Sequence, residues 1–252
     1  EHAIAWKIAQ SPKVDKIYCA PGNGGIAELA ECVDIAATDI ENMVKFAKDN
    51  AIDLVMVAPD DPLVLGMVDA MEKEGIRAFG PRANAAIIEG SKAFSKELMK
   101  KYNIPTANYE VFTDSTSAID YIKAQNTFPT VIKADGLALG KGVIIAKNLE
   151  EAEQAVHEMI DDGKFGKSGS RVVIEEFLTG PEVSVLAFTD GKTVKPMVSA
   201  QDHKRAYDND EGLNTGGMGT VAPNPYYTEA VAEECMKTIF LPTMEAMNKE
   251  GR

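Results

Sequence analysis

Lys133, Lys141, Glu175 and Glu176 are the residues whose types and spacing could do chemistry on a phosphorylated ligand. Lys133 stands near the end of a β-branched run at 130–134, and Lys141 sits in the following turn with Gly136, Gly140 and Gly142. An ammonium group is a compact point charge suited to phosphate oxygens, and glycines let backbone N–H groups approach the same anion. A lysine-bearing hairpin without a ligand suits these residues equally well. The turn is not a P-loop, because G-x-x-x-x-G-K-[ST] does not occur and both flanks read as strands. Further on, residues 172–178 read Val-Val-Ile-Glu-Glu-Phe-Leu. A buried strand rarely runs straight into two carboxylates. Alternation puts Glu175 and Glu176 on opposite faces. One carboxylate could then meet ribose hydroxyls, the backbone could pair with an adenine edge, and Phe177 and Leu178 could flank the ring. A solvated edge strand is the alternative.

The elements that must position these groups begin at residue 1. Residues 1–10 read as a helix with Ile4, Ala5 and Ile8 on one face. A strand at 16–20 ends at Pro21-Gly22-Asn23-Gly24-Gly25, and a second is expected at 33–36. Asp39 is placed to cap a helix running to Asn50, and a buried strand at 53–58 stops at Pro59-Asp60-Asp61-Pro62 before a helix to Glu74. Strands alternating with helices predict a parallel, Rossmann-like sheet whose ligands sit at the strands' carboxyl ends. Pro21, Gly22, Asn23 and Asp60 lie in those end loops.

Gly80-Pro81 leads out of this α/β domain, giving domains at 1–88 and 89–252. Residues 91–102 read as a helix with Phe94, Leu98 and Met99 inward and Ser91 as a cap. Lys92 is unfavourably placed at a helix N-terminus, which suits a ligand role as well as a solvated lysine. From 106 to 178 the pattern is strand, helix, strand, loop, strand, helix, loop, strand, an α+β lid spanning about 110–178 with Asp114 and Leu149 near its helix starts. The Gly/Lys-rich connector 163–170 reads as a flexible turn.

Strands at 182–189 and 193–200 flank the hairpin signal Asp190-Gly191-Lys192. They deliver Gln201-Asp202-His203-Lys204-Arg205 at a strand end, where His203 suits either a surface residue or a general base. Three glycines in Asn214-Thr215-Gly216-Gly217-Met218-Gly219 argue against a regular helix or strand there. Residues 228–249 are helical with Pro242 inside, which predicts a kink or two helices.

Composition narrows the function classes. A net charge of −13 over 252 residues, with no useful Lys/Arg run, argues against nucleic-acid and anionic-membrane partners. It leaves a small anionic ligand open, since local lysines set the field inside a cleft. Cys19, Cys32 and Cys235 are scattered in sequence without metal or redox spacing, which suits a reducing compartment. Neither a membrane-length apolar run nor a secretory signal is seen, so the cytoplasm is expected.

In order along the chain, Pro-Gly-Asn at 21–23, Ser-Lys-Ala-Phe at 91–94, the lysine–glycine segment 131–143, residues 172–178, Gln201 to Arg205 and Asn214 to Gly219 resemble the glycinamide ribonucleotide synthetases, ATP-grasp enzymes of purine synthesis. The resemblance covers essentially the whole chain. It implies a Rossmann-like substrate domain followed by an ATP-grasp α+β domain with a mobile lid. It further implies ATP, Mg²⁺ or Mn²⁺, the small-molecule substrates glycine and 5-phosphoribosylamine, and a monomer or weak homodimer. By the same resemblance Lys92, Lys133, Lys141, Gly140 and Gly142 face ATP phosphates, while Glu175, Glu176, Phe177, Leu178 and Glu182 face adenosine. Asp202, His203 and Lys204 are the catalytic candidates, with Asn214, Gly216 and Gly217 joining Pro21, Gly22, Asn23 and Asp60 at the substrates.

Two departures accompany it. Ala58-Pro59-Asp60-Asp61-Pro62 stands where the family carries Gly-Pro-Glu-Ala-Pro. Glu1-His2-Ala3 matches the tail of the family's first glycine loop, so a strand is expected before it, and the family's Glu-x-Asn metal strand is expected past residue 252. The metal ligands are therefore unknown, and the 252 residues alone are expected to be inactive. Another ATP-grasp ligase or carboxylase, or a non-catalytic nucleotide-binding module, are the alternatives.

Overall fold

The computed structural model describes residues 1–137 and 142–252, with the side chains of Lys167, Asp210, Leu213 and Asn214 left out of the description. The chain divides into two compact units, one of residues 1–92 with 135–140 and one of residues 93–134 with 141–252.

The first unit opens with α1 (His2–Ile8), which buries Ala5 on the expected face. β1 (Tyr18–Cys19) pairs in parallel with β2 (Glu31–Cys32). The strand expected at 33–36 is thus displaced toward the N-terminus, because the chain folds tightly there, with Ile35 N–H donating to Val33 O at 2.8 Å. α2 (Ile40–Asp49) is capped by Asp39, whose carboxylate accepts from Asn42 N–H at 3.2 Å. β3 (Val55–Met56) is less buried than the sequence predicts, Val55 being half-buried and Met56 exposed. The single helix expected after Pro62 is two, α3 (Asp60–Val64) and α4 (Met67–Lys73), because Gly66 at φ +91° takes a left-handed conformation no helix interior allows. β4 (Ala78–Phe79) runs parallel to β3, and α5 (Ala83–Gly90) follows. The predicted parallel pairing is present as two separate pairs, of which β3–β4 packs on a core of Val57, Met67, Val68, Met71 and Ile76.

In the second unit α6 (Lys92–Lys101) precedes β5 (Tyr109–Phe112), α7 (Ser115–Gln125), β6 (Thr130–Ala134), β7 (Val143–Ala146), α8 (Leu149–Ile160) and β8 (Val172–Glu176). This is the predicted alternation. The strands form one antiparallel sheet in the order β5-β8-β6-β7. Asp114 and Asn148 cap α7 and α8 by accepting from Ser117 N–H at 2.8 Å and Glu151 N–H at 2.9 Å. Ile122, Val156 and Met159 of these helices pack on Ile132, Val172 and Ile174 of the sheet. Each such side chain contributes roughly 1.5–3 kcal/mol of burial, which fixes β6 and β8 side by side.

β9 (Ala187–Thr189) and β10 (Val194–Pro196) make the predicted hairpin, with Asp190 Oδ1 accepting from Lys192 N–H at 2.9 Å and Thr193 N–H at 2.7 Å. β11 (Gln201–Tyr207) and β12 (Glu211–Val221) form an antiparallel ribbon. Two expectations fail here. Gln201 to Arg205 is itself strand rather than a segment past a strand end, and Asn214 to Gly219 lies inside β12. Pairing supplies the ladder that local propensity does not, and register shifts around Arg205 absorb the irregular glycine backbone, including Gly217 at φ +122°. The chain closes with α9 (Glu229–Cys235), a π turn over Met236–Phe240 and α10 (Leu241–Lys249), the break expected from Pro242.

Candidate active site

The alternation of β8 decides the fate of its two carboxylates. Glu175 points into the unit with a side chain 6% exposed, while Glu176 is exposed. Lys133 of β6 and Lys96 of α6 both reach Glu175 Oε2, at 2.9 and 3.2 Å. Lys96, only 10% exposed, also donates to Thr106 Oγ1 at 2.7 Å and to Ala107 O at 3.4 Å. Two ammoniums therefore share one carboxylate, leaving one positive charge in excess, and Glu175 Oε1 is buried with no hydrogen-bond partner among the described residues. A buried oxygen of this kind costs about 1–3 kcal/mol unless a donor completes it, so the arrangement is suited to a ligand bringing both negative charge and an N–H or O–H group.

The neighbours of this cluster divide into those free to meet a ligand and those already used by the fold. Phe177 and Leu178, just after β8, are exposed apolar side chains. Glu176, by contrast, accepts from Asn108 N–H at 3.2 Å and from Asn108 Nδ2 at 2.8 Å, so its carboxylate holds the start of β5. Gly142 O accepts from Ala134 N–H at 2.8 Å and extends the β6–β7 ladder. Gly140 and Lys141 lie outside the described residues. Phe165 of the connector packs on the core, and a short 3₁₀ turn follows at Gly166–Gly169.

A second charged group lies on the ribbon. Asp202 and Lys204 alternate onto one face of β11 with Lys204 Nζ 3.0 Å from Asp202 Oδ2, and Glu182 Oε1 stands 3.8 Å from the same ammonium. The hydrogen bond to Asp202 holds the Lys204 pKa above the usual lysine range, partial burial opposing it and the charges of Asp202 and Glu182 adding to it. Asp202 Oδ1 is buried and has no hydrogen-bond partner among the described residues. His203 is exposed and, by strand alternation, faces the other way, so the run of three catalytic candidates is split two and one. Across the ribbon Thr215 Oγ1 donates to Lys204 O at 2.8 Å and accepts from Gly217 N–H at 3.1 Å. Gly216 and Gly217 are exposed, and the backbone of Asn214 pairs with Arg205.

In the first unit, Pro21 and Asn23 are exposed in the loop after β1. Asn23 Oδ1 accepts from Gly25 N–H and Ile26 N–H, both at 3.0 Å, and so fixes the turn into a short 3₁₀ helix. Gly22 has φ +80°. Asp60 is exposed in the first turn of α3. The Ser91 hydroxyl, just ahead of α6, donates to Asp135 Oδ1 at 2.9 Å, and Lys92 Nζ donates to Gly136 O at 3.1 Å.

Lys96 and the Ser91–Asp135 pair are absent from the sequence-based candidates. The signal for Lys96 was present, since it falls three residues after the buried Ala93 on the inward stripe of α6. A lysine on a core stripe needs a partner, and nothing local to the helix supplies one. Among the described residues no group of three or more His, Cys, Asp or Glu side chains could hold a metal ion, so the Mg²⁺ or Mn²⁺ implied by the resemblance finds no ligand set in them. No helix among them is long and apolar enough to cross a membrane.

Residues 1–89 match the N domain of phosphoribosylglycinamide synthetase, and residues 90–252 match the ATP-grasp (A) domain of the same synthetase. The chain belongs to the phosphoribosylglycinamide synthetase family. It is 52% identical over 252 residues to a phosphoribosylamine–glycine ligase of Halalkalibacterium halodurans, covering 100% of this chain and 59% of that one. A crystal structure of the Thermotoga maritima phosphoribosylamine–glycine ligase superposes with a TM-score of 0.82 at 32% identity, over 99% of this chain and 59% of the other. The N5-carboxyaminoimidazole ribonucleotide synthetase of Thermus thermophilus shares the fold, with a TM-score of 0.70 at 18% identity over 98% of this chain and 61% of that one. This member of the synthetase family thus spans about three fifths of its curated relatives' length.

Proposed function

We propose that this chain carries the nucleotide- and substrate-binding part of an enzyme that joins glycine to 5-phosphoribosylamine at the expense of ATP, giving glycinamide ribonucleotide, ADP and phosphate. The observation that supports it most is the buried Lys96–Glu175–Lys133 cluster, with surplus positive charge and an oxygen awaiting a donor. Family membership gives that cluster its context. Lys133 is suited to a nucleotide's phosphate, Glu175 Oε1 to an amino or hydroxyl group, and Phe177 with Leu178 to the face of a base.

The chemistry follows from the poor electrophilicity of a carboxylate. Glycine's carboxylate oxygen attacks the γ-phosphorus of ATP, breaking the bond to ADP and forming glycyl phosphate. The ribosyl amine then attacks the acyl carbon, phosphate leaves with its bonding electrons, and the amine loses a proton. Such catalysis is positioning and charge neutralisation rather than covalent work by a side chain. Asp202 and Lys204, with His203 on the opposite face, are proposed to act on the reacting groups, and residues 21–23 with Asp60 to hold the ribosyl substrate. A divalent ion would neutralise phosphate charge. The lid at about 110–178, a cytoplasmic location and a monomer or weak homodimer belong to the same proposal.

Calorimetric ATP titration of the wild type and Lys133→Ala tests the nucleotide assignment, with weaker binding expected at a temperature where a melt shows the variant, which loses one ion pair to Glu175, still folded. Equal affinity would sink it. For the reaction, ADP release by the chain within its full-length parent should require glycine and phosphoribosylamine together. Release driven instead by bicarbonate would favour the carboxylase class.

A further inference from the structure

Cys19 and Cys32, far apart in sequence, are direct register partners across the parallel β1–β2 pair. Neighbouring strands lie about 4.8 Å apart, inside the Cα window of about 4.4–6.8 Å that a disulfide spans. Directly opposed residues present their side chains on one face. Both thiols are free, Cys32 exposed and Cys19 half-buried, so a small reagent can reach the pair. Burial, and then the neighbouring Cys32, push the Cys19 thiol up, and the exposed Cys32 is the sulfur a reagent meets first. The strand ends also carry the loop 20–23, and the two are coupled: Cys32 Sγ donates to Asn23 O at 3.7 Å, and Gly22 packs so closely on that sulfur that a Cβ there would collide with it.

We infer that Cys19 and Cys32 form a reversible disulfide by exchange with a low-molecular-weight disulfide such as oxidised glutathione. The Cys32 thiolate attacks one sulfur of the small disulfide and expels a thiolate. The Cys19 thiolate then attacks the Cys32 sulfur of the mixed disulfide, closing the intramolecular bond and expelling the second thiolate. Two electrons pass from the protein to the reagent, which leaves as two thiols carrying the two protons the cysteines lose. Closure swings Cys32 Sγ away from the Asn23 carbonyl and from Gly22, so the conformation of loop 20–23 responds to oxidation. This inference is independent of the proposed reaction.

The test uses the chain with Cys235→Ser, a position outside the pair, equilibrated in glutathione redox buffers, trapped with N-ethylmaleimide and digested with trypsin. Residues 17–45 contain both cysteines and no internal Lys or Arg, so they leave as one peptide. The expected product is that peptide lighter by two hydrogens and free of adduct. Its effective thiol concentration in the folded protein should exceed that of the urea-unfolded chain by about tenfold or more. An equal or lower value in the folded protein would overturn the inference, as would separate glutathione adducts on the two cysteines.

Discussion

The Glu175 cluster and the Lys204 cluster hold the same chemical groups in opposite settings. Glu175 and Lys96 are 6% and 10% exposed, whereas Lys204 on the ribbon and Glu182 ahead of β9 are 51% and 64% exposed. In the first, removing charges from water is costly, so the groups hold each other in fixed geometry and the fold depends on their completeness. In the second, water screens the pairs and contributes little to lose, leaving those side chains free to rearrange around a substrate. Burial, rather than residue type, separates a preorganised binding group from an adaptable one.

Breaking the buried cluster gives the largest expected effect. Glu175→Ala strands two ammoniums, one of them deeply buried, and should lower the unfolding free energy by about 3–5 kcal/mol in urea titrations followed by circular dichroism. A loss below about 1 kcal/mol would mean that water already reaches the cluster. Lys96→Met leaves Lys133 on Glu175 and removes the donor to the buried Ala107 carbonyl, for a smaller loss of about 1–3 kcal/mol. ATP calorimetry on this variant sharpens the comparison, because affinity should fall if Lys96 positions Glu175 and stay level if it only packs.

On the ribbon the expected effects shrink. Gly212 has φ +84°, and an added Cβ would lie 2.6 Å from Tyr207 Cδ2. Gly212→Ala should cost about 1 kcal/mol, chiefly from backbone strain because the exposed Tyr207 ring can move aside. Lys204→Ala should change stability by no more than about 0.5 kcal/mol, while turnover in the full-length parent falls on the order of 10²-fold. A stability loss matching that of Lys96→Met would erase the contrast between the two regions. The smallest effect is titrational. With its folded pKa raised, Lys204 contributes stability that is fully present below the unfolded lysine value and is lost as pH rises through the raised folded value. NMR titration of its side chain should show the ammonium persisting above the pH at which a lysine in the urea-unfolded chain deprotonates.

The sequence by itself determined the local order of elements, since caps and periodicity act within a few residues. Asp39 and Asp114 announce α2 and α7, Asp190-Gly191 announces the β9–β10 hairpin, and the apolar runs at 130–134 and 172–174 announce β6 and β8. Ordered motifs gave the family, because each is a short contiguous string. What pairs with what was settled only by tertiary structure. Asn214 to Gly219 became strand because β11 lies beside it, against its own propensity. The run Asp202-His203-Lys204 was divided between two faces by alternation in a strand not assigned there. Lys96 met Glu175 because the fold brings α6 within reach of β8, and Cys19 met Cys32 because two short strands run in parallel. Partners so far apart along the chain are chosen by the burial of whole elements, a sum over many side chains that no local string of residues encodes.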